Sequence, residues 1–146
     1  MTAHFNTQRR VEFCETDTAG IAHFSAFFPY MEQAEHALFR QLGLSVVLED
    51  EEGILSWPRV KAQCDYRGAV KFEDVLDISV CVEKLGTRSV TYAFEFSHEG
   101  RPVATGSLTS VCCRIEQGKP PRSVTIPAWI AEKLGAYCSE TTIDTE

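Results

Sequence analysis

Four consecutive strand-like segments constrain the fold of this chain more than any other feature of its sequence. Each spans about ten residues in which β-branched, aromatic and aliphatic side chains recur with a period of two. Turn signals that contain glycine separate the segments, which are residues 60–69, 75–85, 89–97 and 102–115. Long strands joined by such tight turns pair with their chain neighbours in opposite directions. The sequence therefore predicts an antiparallel sheet.

A short strand at residues 7–13 and a long helix at residues 27–42 are predicted before these segments. Apolar side chains alternate in the strand and recur at spacings of three and four in the helix. Pro29 must lie in the first helical turn, because a proline deeper in the helix would break the hydrogen-bond ladder. Gly43 is expected to end the helix.

Three further segments complete the prediction. The mixed, acidic residues 44–53 are expected to form a short helix and a loop. Pro127 is expected to open a short C-terminal helix. The polar tail at residues 139–146 is expected to fray.

The order β-α-β-β-β-β predicts an α+β fold, with one long apolar helix wrapped by a five-stranded antiparallel sheet. At 146 residues, the chain is predicted to be one domain, 1–146. A single long helix covers little of so large a sheet. The other surface or the edges of the sheet are therefore expected to meet another copy of the chain.

Composition excludes several classes of function. The net charge of −7 opposes non-specific binding to nucleic acid. No basic stretch precedes an apolar run, and no apolar run reaches the length of a membrane span, so neither a signal peptide nor membrane insertion is predicted. The 6 cysteines form no C-x-x-C pair and have no histidine at metal-ligand spacing. We interpret them as reduced packing groups of a cytoplasmic protein without a metal site.

The strongest functional signal is the segment E-T-D-T-A-G-I-A-H-F at residues 15–24, directly before the long helix. It places the carboxylate of Asp17 and the imidazole of His23 close to a helix N-terminus, where backbone N–H groups are unpaired and carry partial positive charge. A carboxylate facing such donors is suited to acyl transfer or hydrolysis. The alternative is a strand-to-helix turn in which Asp17 only caps the helix.

This segment and three others resemble the hotdog-fold acyl-CoA thioesterases, specifically the 4-hydroxybenzoyl-CoA thioesterase type. The matching motifs are D-T-A-G-I-A-H-F at residues 17–24, R-V-E-F at 10–13, F-E-D-V-L at 72–76 and I-P at 126–127. The resemblance extends over residues 7–134 and implies the hotdog fold. It also implies a thioester hydrolase that needs no cofactor, since coenzyme A is part of the substrate.

The resemblance assigns roles to individual residues. Asp17 is expected to be the catalytic carboxylate, as nucleophile or as general base, and the backbone N–H of Phe24 is expected to polarise the thioester carbonyl. Gly20 is expected to permit the turn and close approach of the ligand. His23 is either a substrate-binding residue or a polar residue at a helix start. Another branch of hotdog thioesterases carries its carboxylate on the central helix, which makes Glu32 and Glu35 alternative candidates.

The phosphates of coenzyme A need basic partners. Lys84 and Arg88, on either side of a predicted turn, are the first candidates, because the 4-hydroxybenzoyl-CoA type carries a basic cluster in that region. Residues 85–88 hold only one arginine, so Arg59, Lys61 or Arg122 of a neighbouring subunit are expected to help.

The resemblance implies a homodimer or homotetramer with the acyl pocket between helix and sheet at a dimer interface. The aromatic side chains expected to line the pocket or to belong to the core are Phe24, Phe27, Phe28, Tyr30 and Trp57. A hydroxybenzoyl, a dihydroxynaphthoyl and a short or branched aliphatic group all fit this expectation.

Two other functions stay open from the sequence. A hotdog enoyl-CoA hydratase or dehydratase would use Asp17 and His23 as a carboxylate–histidine pair. A non-catalytic acyl-CoA binding protein would bind the ester without turning it over.

Overall fold

The structure is a computed structural model that describes residues 3–138, so the predicted tail at 139–146 lies outside it. Its long elements follow the predicted order, with two helices and nine strands among the described residues. The helices are α1 (Phe27–Gln41) and α2 (Ala128–Gly135), and the strands are β1 (Phe5–Arg10), β2 (Leu48–Asp50), β3 (Gly53–Ser56), β4 (Arg59–Tyr66), β5 (Val75–Leu85), β6 (Ser89–His98), β7 (Arg101–Val111), β8 (Cys113–Ile115) and β9 (Arg122–Ser123).

The predicted five-stranded antiparallel sheet is confirmed, with the strand order β1-β5-β6-β7-β4. Its long strands alternate between buried and less buried positions, as a sheet covered on one face requires. The buried positions of β5 and β6 are Leu76, Ile78, Val80, Val82, Leu85, Val90, Tyr92, Phe94 and Phe96. Helix α1 packs against this face.

Helix α1 lies close to the sheet because β7 carries a glycine where the two meet. A Cβ atom on Gly106 would lie 2.5 Å from the Sδ atom of Met31 and 3.0 Å from the backbone oxygen of Gln63. Pro29 is the third residue of α1, which confirms its placement in the first turn. A 3₁₀ turn, Phe24–Ala26, precedes the helix and was not predicted.

The prediction of a short helix within residues 44–53 is wrong, because residues 48–50 pair with β3 and β3 pairs with the distant β8. Strands β2 and β3 form a hairpin that joins β8 and β9 in a second, four-stranded sheet. The predicted strand 102–115 breaks at Cys112, so β8 leaves the main sheet for this one. The buried guanidinium of Arg114 on β8 binds both carboxylate oxygens of Asp50, at 2.7 and 3.0 Å.

The first strand is also shifted from its predicted position. It spans Phe5–Arg10, and a 3₁₀ turn, Phe13–Glu15, replaces its predicted end. The register pairs Arg10 with Val75, the first residue of β5, so later residues have no strand to pair with. Phe13 is consequently 73% exposed, and its ring packs on Phe72 at a centroid distance of 5.8 Å.

Candidate active site

The segment around Asp17 folds into a tight hairpin that includes residues 15–23. The Asp17 N–H donates to Ile21 O at 2.9 Å, and at the base of the hairpin the His23 N–H donates to Glu15 O at 2.8 Å. The Gly20 N–H donates to Asp17 O at 2.9 Å, and Gly20 has φ +78°. A turn closed in this way and followed by a left-handed residue is a common three-residue hairpin connection. Glycine is favoured at that residue because it adopts positive φ without strain.

The Asp17 carboxylate has a hydrogen bond to only one of its two oxygens. Oδ1 accepts the Ala19 N–H at 2.8 Å, which fixes the side chain over the turn. Within residues 3–138, no ion pair or further hydrogen bond reaches this half-buried carboxylate. Oδ2 is therefore available to act as a general base or to attack a carbonyl carbon.

The other arm of the hairpin leads into the 3₁₀ turn and presents a free backbone donor. His23 O accepts the Ala26 N–H at 2.9 Å, and the trans peptide between His23 and Phe24 points its N–H in the opposite direction, away from the helix. The described part of the chain contains no acceptor for this N–H. The donor lies at the positive end of the 3₁₀ turn and α1.

The structure places His23 as the N-terminal cap of the 3₁₀ turn. Its Nδ1 atom lies 2.7 Å from Ser25 Oγ and 3.3 Å from Ser25 N. Among the described residues, no hydrogen bond joins His23 to Asp17. The carboxylate–histidine pair that a hydratase or dehydratase would use is therefore not formed.

The segment that carries the F-E-D-V-L motif supports the hairpin from the side. The Ala22 N–H donates to Val70 O at 2.8 Å, and Ile21 forms a β-bridge with Lys71. Asp74 Oδ2 accepts the Lys71 N–H at 2.8 Å and closes the supporting turn. Asp74 of the motif at residues 72–76 therefore stabilises the turn to which the hairpin is bonded.

Tyr66 is a site residue that was not predicted from the sequence. Its hydroxyl donates to Phe24 O at 2.8 Å, and its ring packs edge to face on Phe27 at a centroid distance of 5.4 Å. This hydrogen bond holds Phe24, the residue whose backbone N–H is free. Tyr66 ends a strand that is 42 residues away in sequence, so no local pattern links it to the hairpin.

The helix carboxylates are placed differently from Asp17. Glu35 is only 1% exposed, and both of its oxygens bind the guanidinium of Arg59, which also donates to Ser110 Oγ at 2.7 Å. Glu32 is more exposed and lies 3.3 Å from the same guanidinium. This geometry assigns Glu35 a structural role and leaves Arg59 poorly placed to bind phosphate.

The hydroxyl of Tyr92, within the same core, is buried without a partner in residues 3–138, and burial raises its pKa.

The aromatic side chains predicted for an acyl pocket fall into two groups. Phe27 and Tyr30 are fully buried core residues, and Trp57 packs on Phe39 at a centroid distance of 6.1 Å. Phe24, by contrast, is 62% exposed beside the hairpin. Phe28, one helical turn further on, is half-buried. Phe24 is therefore the most exposed member of the predicted set, while Phe28 and Trp57 are both half-buried.

Three of the candidate phosphate-binding residues, Lys84, Arg88 and Arg122, lie at the opposite end of the main sheet from the hairpin. Arg88 donates to Ser123 Oγ at 3.2 Å, which brings it beside Arg122. Lys84 lies near the end of β5, whose first residue, Val75, follows the turn that supports the hairpin. Lys84 is nine residue steps along the extended strand from Val75, and at about 3.3 Å per step this distance is roughly 30 Å.

Within residues 3–138, no group of three or more histidine, cysteine, aspartate or glutamate side chains could hold a metal ion. No helix in this part of the chain is long and apolar enough to cross a membrane.

Comparison with known proteins identifies the class. The crystal structure of a 1,4-dihydroxy-2-naphthoyl-CoA thioesterase from Synechocystis superposes with a TM-score of 0.78, over 91% of this chain and 96% of that chain, at 17% identity. This likeness confirms the predicted hotdog fold. Residues 11–134 match the family profile described as the thioesterase-like superfamily. The chain therefore belongs to the thioesterase-like superfamily, and the predicted enzyme class, a thioester hydrolase, is confirmed.

Two relatives show the range of the family. The chain is 28% identical over 111 residues to the 1,4-dihydroxy-2-naphthoyl-CoA hydrolase of Synechococcus elongatus, a match that covers 75% of this chain and 82% of the relative. It is also 28% identical over 91 residues to the 4-hydroxybenzoyl-CoA thioesterase of Pseudomonas sp. strain CBS-3, which covers 61% of this chain and 64% of the relative.

Proposed function

We propose that this protein hydrolyses an aromatic acyl-CoA to the free acid and coenzyme A, with Asp17 as its catalytic carboxylate. One observation carries the proposal. The hairpin presents a carboxylate with an unused oxygen on one arm and leads from the other arm to the free Phe24 N–H. The names of the two relatives support an aromatic acyl group, and the exposed ring of Phe24 offers a surface for one.

The chemistry needs few groups. The thioester carbonyl oxygen accepts the Phe24 N–H, and the helix end stabilises the negative charge that develops on it. Asp17 Oδ2 either removes a proton from the attacking water or attacks the carbonyl carbon to form an anhydride that water then cleaves. Coenzyme A leaves as a thiolate, which is a good leaving group and needs no strong general acid. Gly20 and His23 shape the turn and the helix start around these two groups.

Coenzyme A binding is proposed to require two copies of the chain. A single chain holds its basic end, with Lys84, Arg88 and Arg122, about 30 Å from its own hairpin along β5. Strand β4 forms an edge of the sheet, and most of its side chains are exposed, so this edge can pair with a second copy. The expected assembly is a homodimer, or a homotetramer of such dimers, in which one protomer supplies Asp17 and its partner the phosphate-binding cations.

The experiment that tests the reaction measures release of free thiol from a panel of esters. The panel contains 4-hydroxybenzoyl-, 1,4-dihydroxy-2-naphthoyl-, benzoyl-, acetyl- and hexanoyl-CoA, with wild-type protein and Asp17→Asn. We expect turnover of an aromatic ester and a loss of about 10²- to 10⁴-fold in the variant, the range for a lost general base. Preference for hexanoyl-CoA would overturn the substrate class but not the reaction. Binding without turnover would favour the non-catalytic alternative. Hydration of an enoyl-CoA, measured in a separate assay, would favour the hydratase.

Mixing two inactive variants tests the shared site. Asp17→Asn retains the cations, and the double variant Arg88→Ala/Arg122→Ala retains the carboxylate. After unfolding and refolding together in equal amounts, half of the dimers are mixed, and each mixed dimer holds one intact site. About a quarter of the wild-type activity is expected to return. No recovery would mean that each chain binds its own substrate alone.

A further inference from the structure

We infer that Glu15 is a positioning residue, which holds the two arms of the Asp17 hairpin in register with α1 and β1. The inference rests on the proposed function of the hairpin. Glu15 is the residue whose backbone oxygen accepts the His23 N–H, so it closes the base of the hairpin. It precedes Asp17 by two residues on one arm, and its backbone partner directly precedes Phe24 on the other.

The side chain of Glu15 ties this base to two other elements. Oε1 accepts the Tyr30 hydroxyl of α1 at 2.8 Å, and Oε2 forms an ion pair with Arg9 of β1. The Glu12 N–H also donates to Oε1, at 2.7 Å. The Glu15 side chain is only 17% exposed, which reduces screening of the ion pair by solvent. One carboxylate therefore joins the hairpin, the helix and the sheet edge.

The partners of Glu15 are themselves held in place. Arg9 Nε donates to Gln33 Oε1 at 2.8 Å, and the guanidinium lies over the Tyr30 ring at 5.0 Å from its centroid. Burial, and then the hydrogen bond to Glu15, raise the pKa of the Tyr30 hydroxyl, which therefore stays protonated and donates. Removing the carboxylate leaves a buried hydroxyl without its acceptor and an arginine without its counter-ion.

This arrangement predicts a loss in turnover rather than in substrate binding. The carboxylate is hydrogen-bonded to protein groups that surround the hairpin, so it contributes no binding energy of its own to the ester. Loosening the hairpin base changes the separation between Asp17 Oδ2 and the Phe24 N–H. A displacement of about 1 Å between reacting groups can cost on the order of 10²-fold in rate.

The test compares Glu15→Ala, Glu15→Gln and Tyr30→Phe with wild type, using whichever ester of the panel the wild type hydrolyses fastest. Glu15→Ala is expected to lower kcat by about 10- to 100-fold and to change KM by less than about threefold. Glu15→Gln keeps an acceptor for the Tyr30 hydroxyl and is expected to restore most of that loss. The kcat of Tyr30→Phe is expected to lie between those of Glu15→Ala and Glu15→Gln.

Gln33→Ala is the matched control, because it removes the hydrogen bond that Arg9 donates to another side chain, without touching the hairpin. We expect it to leave kcat within about twofold of wild type. If Glu15→Ala has the same kcat as wild type, or loses activity only in proportion to its unfolded fraction, the inference is wrong.

Amide hydrogen exchange at Asp17 and His23 gives a readout that does not depend on activity. Both N–H groups are bonded inside the hairpin, and we expect Glu15→Ala to speed their exchange at least tenfold relative to amides of β5 and β6. Unchanged protection would overturn the inference. Faster exchange in a protein that hydrolyses no ester would refute the proposed function alone.

Discussion

Two carboxylates near helix α1 have opposite surroundings, and the contrast indicates which of them is available for chemistry. Glu35 is buried, and every hydrogen bond that its oxygens make goes to Arg59. Asp17 is half-buried at the tip of a hairpin, has one oxygen bonded to the Ala19 N–H and is not paired with a cation among the described residues. A carboxylate with all its partners inside the protein stabilises the fold. One with spare acceptor capacity beside a helix end can react.

The comparison is tested first by changing each carboxylate to its amide. Asp17→Asn is expected to lower kcat by about 10²- to 10⁴-fold, because an amide can neither accept the proton nor attack the carbonyl. Its free energy of unfolding should change by less than about 1 kcal/mol, because the amide oxygen still accepts the Ala19 N–H. Thiol release and urea unfolding measure the two effects.

Glu35→Gln is expected to show the reverse pattern. Its kcat should stay within about threefold of wild type, while its stability falls because the half-buried Arg59 keeps only the more exposed Glu32 as a counter-charge. If Glu35→Gln abolished turnover while remaining folded, the helix carboxylate would be the reactive group, and the assignment of Asp17 would be wrong.

The second prediction tests whether the charge pair of Glu35 and Arg59 stabilises the fold. Glu35→Leu is expected to cost up to about 3–5 kcal/mol of unfolding free energy, because the partly buried guanidinium then keeps only the exposed Glu32 as its counter-ion. Replacing both partners, in Glu35→Leu/Arg59→Met, should recover most of that loss, since neither charge then needs compensation. Urea unfolding of the two variants and of Arg59→Met alone completes the cycle. A double variant as unstable as Glu35→Leu would show that packing, and not charge pairing, dominates at this position.

The surroundings of these two carboxylates could be predicted only in part from the sequence. Periodicity predicted α1 and the long strands, because buried faces repeat locally along the chain. The turn composition and the position before a helix singled out Asp17. The bond of Arg59 to Glu35, the bond of Arg114 to Asp50, and the anchoring of the hairpin by Glu15 were not predicted. Each joins residues that lie far apart in sequence or on different elements, and no local pattern records such contacts.

The third prediction concerns Gly20→Ala, a variant that strains the hairpin turn but keeps the Asp17 carboxylate. Gly20 has φ +78°, and an added Cβ would meet nothing within 4 Å, so Gly20→Ala adds backbone strain and no clash. A left-handed non-glycine residue costs about 1–2 kcal/mol. We expect kcat to fall by less than in Asp17→Asn, because the carboxylate remains but the turn that holds it relaxes.

Gly118→Ala is the control for this effect, because Gly118 has nearly the same φ, +80°, and equally open surroundings in the turn between β8 and β9. The two variants should lose similar stability, but only Gly20→Ala should lose kcat. Equal kcat in both would show that the turn geometry does not matter for catalysis.

A third carboxylate, Asp50, is paired like Glu35 but 40% exposed, and it should give the smallest effect. Hydrogen bonds from Arg114 hold the pKa of Asp50 below its ordinary value of 3.8. Such a group stabilises the fold above its unfolded pKa, and the contribution disappears as the pH falls through the folded pKa. The difference in urea midpoint between wild type and Asp50→Asn should therefore be constant from pH 7 to about pH 5 and shrink below about pH 4. Because solvent screens the pair, added salt should reduce the same difference at pH 7. A difference that persists undiminished to pH 2 would mean that Asp50 stabilises the second sheet through its shape and hydrogen bonds rather than its charge.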